Sequence, residues 1–215
     1  MKTLFLSLAL LSSHLSYAGD LSLSASSLKL KVYKFAVSTS PLCTNLSTVV
    51  DNGTTPQEVN FVGGISLGFG TIATGNYPCI VIEFSDQIKY KPDQNSTSGN
   101  CLASTEYTLD VCSSGSAKLI DGTTTNCDGT DNKVAMYLST GVASNGDGFY
   151  PPTVLNDTTN GFVLGSQLSI TGTSSGSFVV NPTGKVCDDA TSGCDGGSGG
   201  GSNCKMEVPA FSFSH

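Results

Sequence analysis

Imidazole is scarce in this sequence, which restricts the chemistry that the chain can perform. Its two histidines are His14, near the N-terminus, and His215, the last residue. Ser-His-Asp and Cys-His catalysis both need an imidazole held in a pocket, and chain ends are usually poorly ordered. Catalytic zinc sites also favour histidine ligands. The sequence therefore supports none of these three kinds of hydrolase.

Paired carboxylates are the remaining catalytic arrangement, because a glycosidase requires only two acids at a suitable separation. Glu83 is the leading candidate, since it is the sole acid in the apolar segment 77–84. A buried carboxyl tends to keep its proton, as a general acid must. The alternative is a structural glutamate paired with a lysine. A secreted hydrolase that uses paired carboxylates is therefore one alternative hypothesis.

Oxygen-bearing side chains are concentrated in two glycine-containing loops, 121–131 and 143–154. Calcium takes about six to eight oxygen ligands, which such loops could supply. The spacing departs from the EF-hand, since Ala143 and Val154 stand where its first Asp and final Glu belong. Asp, Asn and Gly are also the residues that tight turns demand. A calcium-dependent adhesion module is a second alternative, with candidate ligands Asp121, Asp128, Asp131, Asn145 and Asp147.

An aromatic pair, Phe149 and Tyr150, precedes two prolines and follows a glycine-containing turn. If exposed, these rings could stack on a sugar or on a partner surface. The alternative is that they close one end of the folded domain, because large aromatic side chains are mostly buried. Both residues are therefore candidate ligand contacts.

The cysteines predict disulfide bonds. Their number is even, no C-x-x-C pair occurs and histidine is scarce, so a structural zinc site is rejected. Cys187, Cys194 and Cys204 form a group of three around a glycine-rich segment. At least one of them must pair outside the group if all are bonded, which would tie the C-terminal region to the main body. The eight predicted disulfide cysteines are Cys43, Cys79, Cys101, Cys112, Cys127, Cys187, Cys194 and Cys204.

Charge excludes two classes of partner. The chain has a formal net charge of −7, and all ten of its basic residues are lysine. Without arginine it lacks the bidentate groups that recognise phosphate and guanine, and its acidity opposes binding to nucleic acid or to anionic membranes.

The N-terminus has the three parts of a secretory signal in the expected order. Lys2 provides the positive charge, residues 4–11 are mainly apolar, and small residues at Ser16 and Ala18 mark a cleavage site before Gly19. We therefore expect a signal peptide over 1–18 and a single domain over 19–215. We expect no later transmembrane segment, and a secreted or cell-surface location (periplasmic in a Gram-negative host) where disulfides form.

Short alternating segments predict an all-β domain. Residues 28–37 alternate and then break at Lys34, which predicts a half-buried strand with a bulge. Segment 77–84 is apolar on both faces, which is typical of a central strand. About ten short strands favour an antiparallel β-sandwich, immunoglobulin-like or transthyretin-like, with a glycine-rich, disulfide-clipped loop at 187–204. The other predicted strands are 58–62, 105–112, 133–140, 162–164, 167–171, 177–181 and 206–213.

The segment Gly75-Asn76-Tyr77 resembles the G-x-Y strand start that is common in transthyretin-like and related extracellular β-sandwiches. The resemblance covers about ten residues and implies a fold but no activity. The leading hypothesis is a non-catalytic exported protein that needs no cofactor. It would act by binding a protein or glycan partner, by adhesion, or as a structural component of a surface assembly.

Overall fold

The protein is described by a computed structural model over residues 22–63, 72–171, 177–188 and 203–214. Within these ranges the chain forms sixteen β-strands and no helix, which confirms the predicted all-β class. The number exceeds the expected ten because several strands are short and polar, as in the GSAK and TTNC segments, and lack an alternating apolar pattern.

The strands are, in chain order, β1 Ala25–Ser38, β2 Ser47–Asp51, β3 Gln57–Asn60, β4 Gly75–Tyr77, β5 Cys79–Ser85, β6 Gln87–Pro92, β7 Tyr107–Asp110, β8 Gly115–Lys118, β9 Thr124–Cys127, β10 Lys133–Ser139, β11 Phe162–Val163, β12 Leu168–Ile170, β13 Ser177–Asn181, β14 Val186–Asp188, β15 Cys204–Met206 and β16 Ala210–Ser214.

Strand β1 is the spine of the one large sheet, whose order is β11-β10-β5-β1-β6-β7. Strand β1 also pairs with β2 and with β3, which lie outside this order. Leu28, Leu30 and Val32 are buried at alternate positions, as the sequence pattern predicts. The predicted bulge is confirmed, because the register with β5 shifts between Val32 and Lys34. All of β5 is buried, which confirms its prediction as a central strand.

The large sheet divides at Asp86, the single residue between β5 and β6. Both strands pair with β1, but β5 continues to β10 whereas β6 continues to β7. The sheet curls into a half-barrel, and four two-stranded sheets accompany it: β12–β4, β13–β16, β14–β15 and β8–β9. The finer prediction of a sandwich is not confirmed by this arrangement.

The main hydrophobic core lies against the inner face of β5, where it buries Ile80, Ile82 and Phe84, and it continues to Phe213 of β16. A smaller cluster covers the opposite face of β5 and includes Val81 and Tyr137. Burial on both faces explains why this strand is apolar throughout, apart from Glu83 and its last residue.

Three disulfides join Cys43 to Cys79, Cys101 to Cys204 and Cys112 to Cys127. Cys187 is also disulfide-bonded, and Cys194 lies outside the described residues. The prediction that one cysteine of the C-terminal group pairs with the main body is confirmed by the bond to Cys204. Disulfides of this kind indicate an oxidising compartment.

Two predicted segments fall on residues that the structure does not describe. They are the signal peptide over 1–18 and most of the glycine-rich loop over 187–204. The two ends of that loop are described, and they pair as the antiparallel strands β14 and β15. Among the described residues, no helix is long and apolar enough to cross a bilayer.

Candidate functional site

An apolar cavity of about 230 Å³ lies on the concave side of the large sheet and is partly open to the surface. Its sheet-side wall is formed by side chains that alternate inward from five neighbouring strands. Their positions follow from the two-residue period of a strand, which places every second side chain on one face. These wall residues are Leu28 and Leu30 of β1, Phe84 of β5, Ile88 of β6, Leu109 of β7 and Met136 of β10.

The opposite wall is a cover built largely by the C-terminal strands. Val180 of β13 and Phe211 of β16 contribute to it, together with the segment 206–209. Phe61, whose amide donates to the Leu28 carbonyl at 2.6 Å, lies where the cover meets the large sheet. Phe178 packs against two of these residues. Its ring centroid lies 6.1 Å from that of Phe61 in an edge-to-face contact and 6.1 Å from that of Phe211 in a stacked contact. We call Phe61, Phe178, Val180, Phe211 and the segment 206–209 the aromatic cover.

The C-terminal strands are anchored to the main body beside the cavity. The Cys101–Cys204 disulfide joins residues 103 positions apart, and the Tyr90 hydroxyl donates to the Cys204 carbonyl at 2.6 Å. Buried Asp188 accepts hydrogen bonds from Ser96, Ser98 and Asn100. Burial alone would raise the pKa of Asp188, but these bonds outweigh it and lower the pKa to about 2.

Among the described residues, the ionisable ones that line the cavity are Asp110 and Glu207. Both are half-buried, and we call them the rim acids. Asp110 Oδ1 accepts a hydrogen bond from the Cys112 amide at 2.9 Å. Glu207 Oε2 lies 3.4 Å from Lys185 Nζ, and its own amide donates to the Lys185 carbonyl. The described lining is therefore apolar apart from these two acids.

Asp86 lies between two residues of the cavity wall, Phe84 and Ile88. Its carbonyl accepts the amide of Val111, which also lines the cavity, at 3.0 Å. The side chain is fully buried, and Oδ2 has no hydrogen-bond partner in the described part of the chain. Burial raises the pKa of Asp86 to about 6, with a further contribution from the nearby charge of Asp110.

The chemistry that this site offers is binding of an apolar molecule. A water molecule occupies about 30 Å³ of liquid, and a methylene group is of similar size, so the volume suits about eight such groups. Enclosed apolar cavities of about 150 Å³ are known to stay dry and take up benzene, which gives the scale for a ligand of this size.

One of the two predicted aromatic contacts, Phe149, lies at this site, and both residues are half-buried. Phe149 is half-buried and lines the cavity. The Tyr150 hydroxyl lies 2.5 Å from Ser116 Oγ. Phe149 packs against the main core and is placed to touch a molecule inside the cavity.

The five calcium candidates are all exposed, and the structure does not gather them. Asp121 and Asp128 lie at opposite ends of β9, and each caps its own turn by accepting from Thr123 and Thr130, respectively. Asp131 accepts from Ser85 Oγ at 2.5 Å.

The two candidates in the second loop are likewise used in local hydrogen bonds. Asn145 accepts the amide of Val163, and Asp147 accepts that of Phe149. Among the described residues, no group of three or more acidic, histidine or cysteine side chains is placed to hold a metal ion.

Glu83 is buried on the other side of β5, away from the cavity. Its Oε1 lies 3.0 Å from Lys133 Nζ, and its Oε2 accepts the amide of Ile120 at 3.2 Å. The lysine-paired alternative is therefore the arrangement seen for this carboxylate.

Sequence reasoning missed the cavity, because its lining comes from residues scattered between Leu28 and Phe211 that carry only the general signal of apolar alternation. Asp86 offered a limited signal, since it is an acid that follows the apolar segment 77–84, and the strand after it, β6, was not predicted. Asp110 and Glu207 have no sequence feature that would bring them together.

Comparison with known proteins supplies no name for this site. The chain matches no known family model, and neither the curated proteins nor the solved structures contain a significant match to it.

Proposed function

We propose that this chain is an exported, non-catalytic binding protein that holds a small apolar ligand between its curled sheet and its aromatic cover. The single observation that carries the proposal is the cavity of about 230 Å³ with an almost entirely apolar lining. Well-formed apolar pockets with a few polar groups at their edge are the usual form of small-molecule sites. Export is supported by the disulfides and by the character of residues 1–18.

The architecture supports this function as two layers with a space between them. We infer that the cover and the large sheet are the layers of an irregular β-sandwich. In support, Phe178, Val180, Phe211 and Phe213 of the β13–β16 pair are all buried in the main core.

The energetics favour a modest affinity. Each buried methylene contributes about 0.8 kcal/mol, so about eight of them give roughly 6 kcal/mol. Loss of ligand freedom on binding offsets part of this gain. We therefore expect dissociation constants weaker than about 50 micromolar, reaching about one millimolar, for a simple eight-carbon probe.

The test is a titration of the disulfide-bonded protein with octan-1-ol, followed by chemical shifts of the cavity methyl groups. Val180→Phe fills the cavity from the cover, and we expect it to abolish the shifts. Val179→Phe is the matched control, because Val179 is the preceding residue of β13 and is not in the lining. Absence of saturable shifts in the wild-type protein, or equal loss in both folded variants, would contradict the proposal.

Contact with a protein partner is the second candidate function, favoured by one exposed apolar pair. Val154 and Leu155 are 58% and 63% exposed, respectively. Their loop is held in place by Asp157, which accepts hydrogen bonds from Thr153, Thr159 and Asn160. We expect the wild type to be retained on a column of its own immobilised secreted-protein fraction and a Val154→Ser/Leu155→Ser variant to be retained less, and equal retention of the two would remove this candidate.

A further inference from the structure

The rim acids, Asp110 and Glu207, should make the cavity select ligands by the charge and hydrogen bonding of their polar end. We propose that the ligand is an apolar molecule ending in a hydrogen-bond donor, either a hydroxyl or an ammonium group, and that carboxylate-ended molecules of the same length are rejected. This inference rests on the proposed function, because it concerns the same cavity.

Asp110 is the acceptor best placed to meet such a group. It lines the cavity at the end of β7, where its Oδ1 is held by the amide of Cys112. Cys112 is itself fixed by the disulfide to Cys127. In the described part of the chain, no lysine forms an ion pair with Asp110, and its Oδ2 has no hydrogen-bond partner. One carboxylate oxygen at the rim is therefore available to a ligand.

Glu207 is the second rim acid, and it is partly neutralised. Lys185 lies 3.4 Å from its Oε2, so an arriving anion would find one cation close to this side of the rim. The lysine is already engaged, however, and it is not among the residues that line the cavity. Within the described ranges, no residue that lines the cavity is cationic.

Asp86 is a third acidic residue near Asp110. It is buried close enough to Asp110 for the two charges to interact, and Asp131 contributes to the same region. Carboxylates only accept hydrogen bonds when ionised, so they can pair with a hydroxyl or an ammonium but not with another carboxylate. Partial burial lowers the local screening, which strengthens both the attraction and the repulsion.

The experiment compares three eight-carbon probes at pH 8, which are octan-1-ol, octylamine and sodium octanoate. We expect the alcohol and the amine to bind, and octanoate to bind at least about tenfold more weakly than either. Tighter binding of the amine identifies an ammonium ligand, and equal or tighter binding of the alcohol identifies a hydroxyl ligand. Octanoate binding as tightly as the other two would overturn the inference. Failure of all three probes to bind would overturn the proposed function instead.

Two variants test whether Asp110 is responsible for the preference among the three probes. Asp110→Asn keeps an acceptor for the Cys112 amide but removes the charge, so we expect it to weaken the amine by about three- to tenfold and to reduce the penalty on octanoate. Glu106→Gln is the matched control, since this exposed carboxylate pairs with Lys29 and does not line the cavity. Identical probe preferences in the wild type and the Asp110 variant would overturn the assignment to this residue.

Discussion

The backbone amide of Asn132 donates to Asp86 Oδ1 at 2.9 Å, while the Asp86 amide donates to the Asn132 carbonyl, also at 2.9 Å. Asn132 precedes β10, and Val111, whose amide donates to the Asp86 carbonyl, follows β7. One buried aspartate therefore links the two branches of the divided sheet. Both branches contribute to the cavity wall.

Stability should fall with rising pH because of Asp86. Its pKa is raised to about 6 in the folded protein, chiefly by burial, from an ordinary value of 3.8. The folded state therefore binds this proton more tightly than the unfolded state. The associated stabilisation is present below about pH 4 and is lost as the pH rises through about 6.

Asp86→Asn should remove this pH dependence, because an amide retains an acceptor for Asn132 and carries no charge. We expect the variant to be more stable than the wild type by about 1–3 kcal/mol at pH 8 and to differ little at pH 4. Urea unfolding at both values measures this. Asp93→Asn, at an exposed acid with no role in the sheet division, is the control. A variant less stable than the wild type at pH 8 would contradict the prediction.

The Cys101–Cys204 disulfide should contribute most to the stability of the cover. It closes the longest loop of the three described bridges, and loop-closure entropy in the unfolded chain grows with loop length. We expect Cys101→Ala/Cys204→Ala to lose about 2–5 kcal/mol and to weaken octan-1-ol binding. Cys112→Ala/Cys127→Ala, which opens a shorter loop of separation 15, is the comparison. A larger loss of stability in the comparison variant would show that loop closure is not the controlling effect.

Asp157 should control the order of the loop that presents Val154 and Leu155. Hydrogen bonds from the backbone of Thr153, Thr159 and Asn160 hold the pKa of Asp157 far below its ordinary value. The loop should therefore remain ordered above the ordinary pKa of an aspartate and lose order only in stronger acid.

We expect Asp157→Asn to increase hydrogen exchange across residues 153–161, because its amide nitrogen would face a backbone donor. Asp147→Asn, at a residue whose carboxylate accepts one amide, should increase it less. Unchanged exchange in the Asp157 variant would contradict this prediction.

The Glu83–Lys133 pair should be structural. Removing the cation leaves a carboxylate that is 2% exposed without its partner at 3.0 Å. We expect Lys133→Met to lose about 1–3 kcal/mol, and the double variant Glu83→Gln/Lys133→Met to recover part of that loss. Thermal unfolding of Lys133→Met, Glu83→Gln and the double variant measures the coupling free energy between the two side chains. Strictly additive losses would show that the two side chains act independently.

Local patterning was enough to predict the strands that are long and apolar. The alternation in β1, its bulge, and the burial of both faces of β5 all follow from side chains that point to opposite faces at successive positions. The polar hairpin β8–β9 could not be predicted in this way, because it has no apolar face and is held by pairing and by contacts with the rest of the fold.

The sequence by itself determined the all-β class, the disulfide character of the chain and the need for one C-terminal cysteine to pair with the main body, because composition, alternation and parity are local or countable properties. Only the tertiary structure decided that the sheet divides at Asp86, that Glu83 faces Lys133 rather than a cleft, and that Asp110 and Glu207 line one cavity. Those facts depend on strand order and curvature, which bring together residues almost a hundred positions apart.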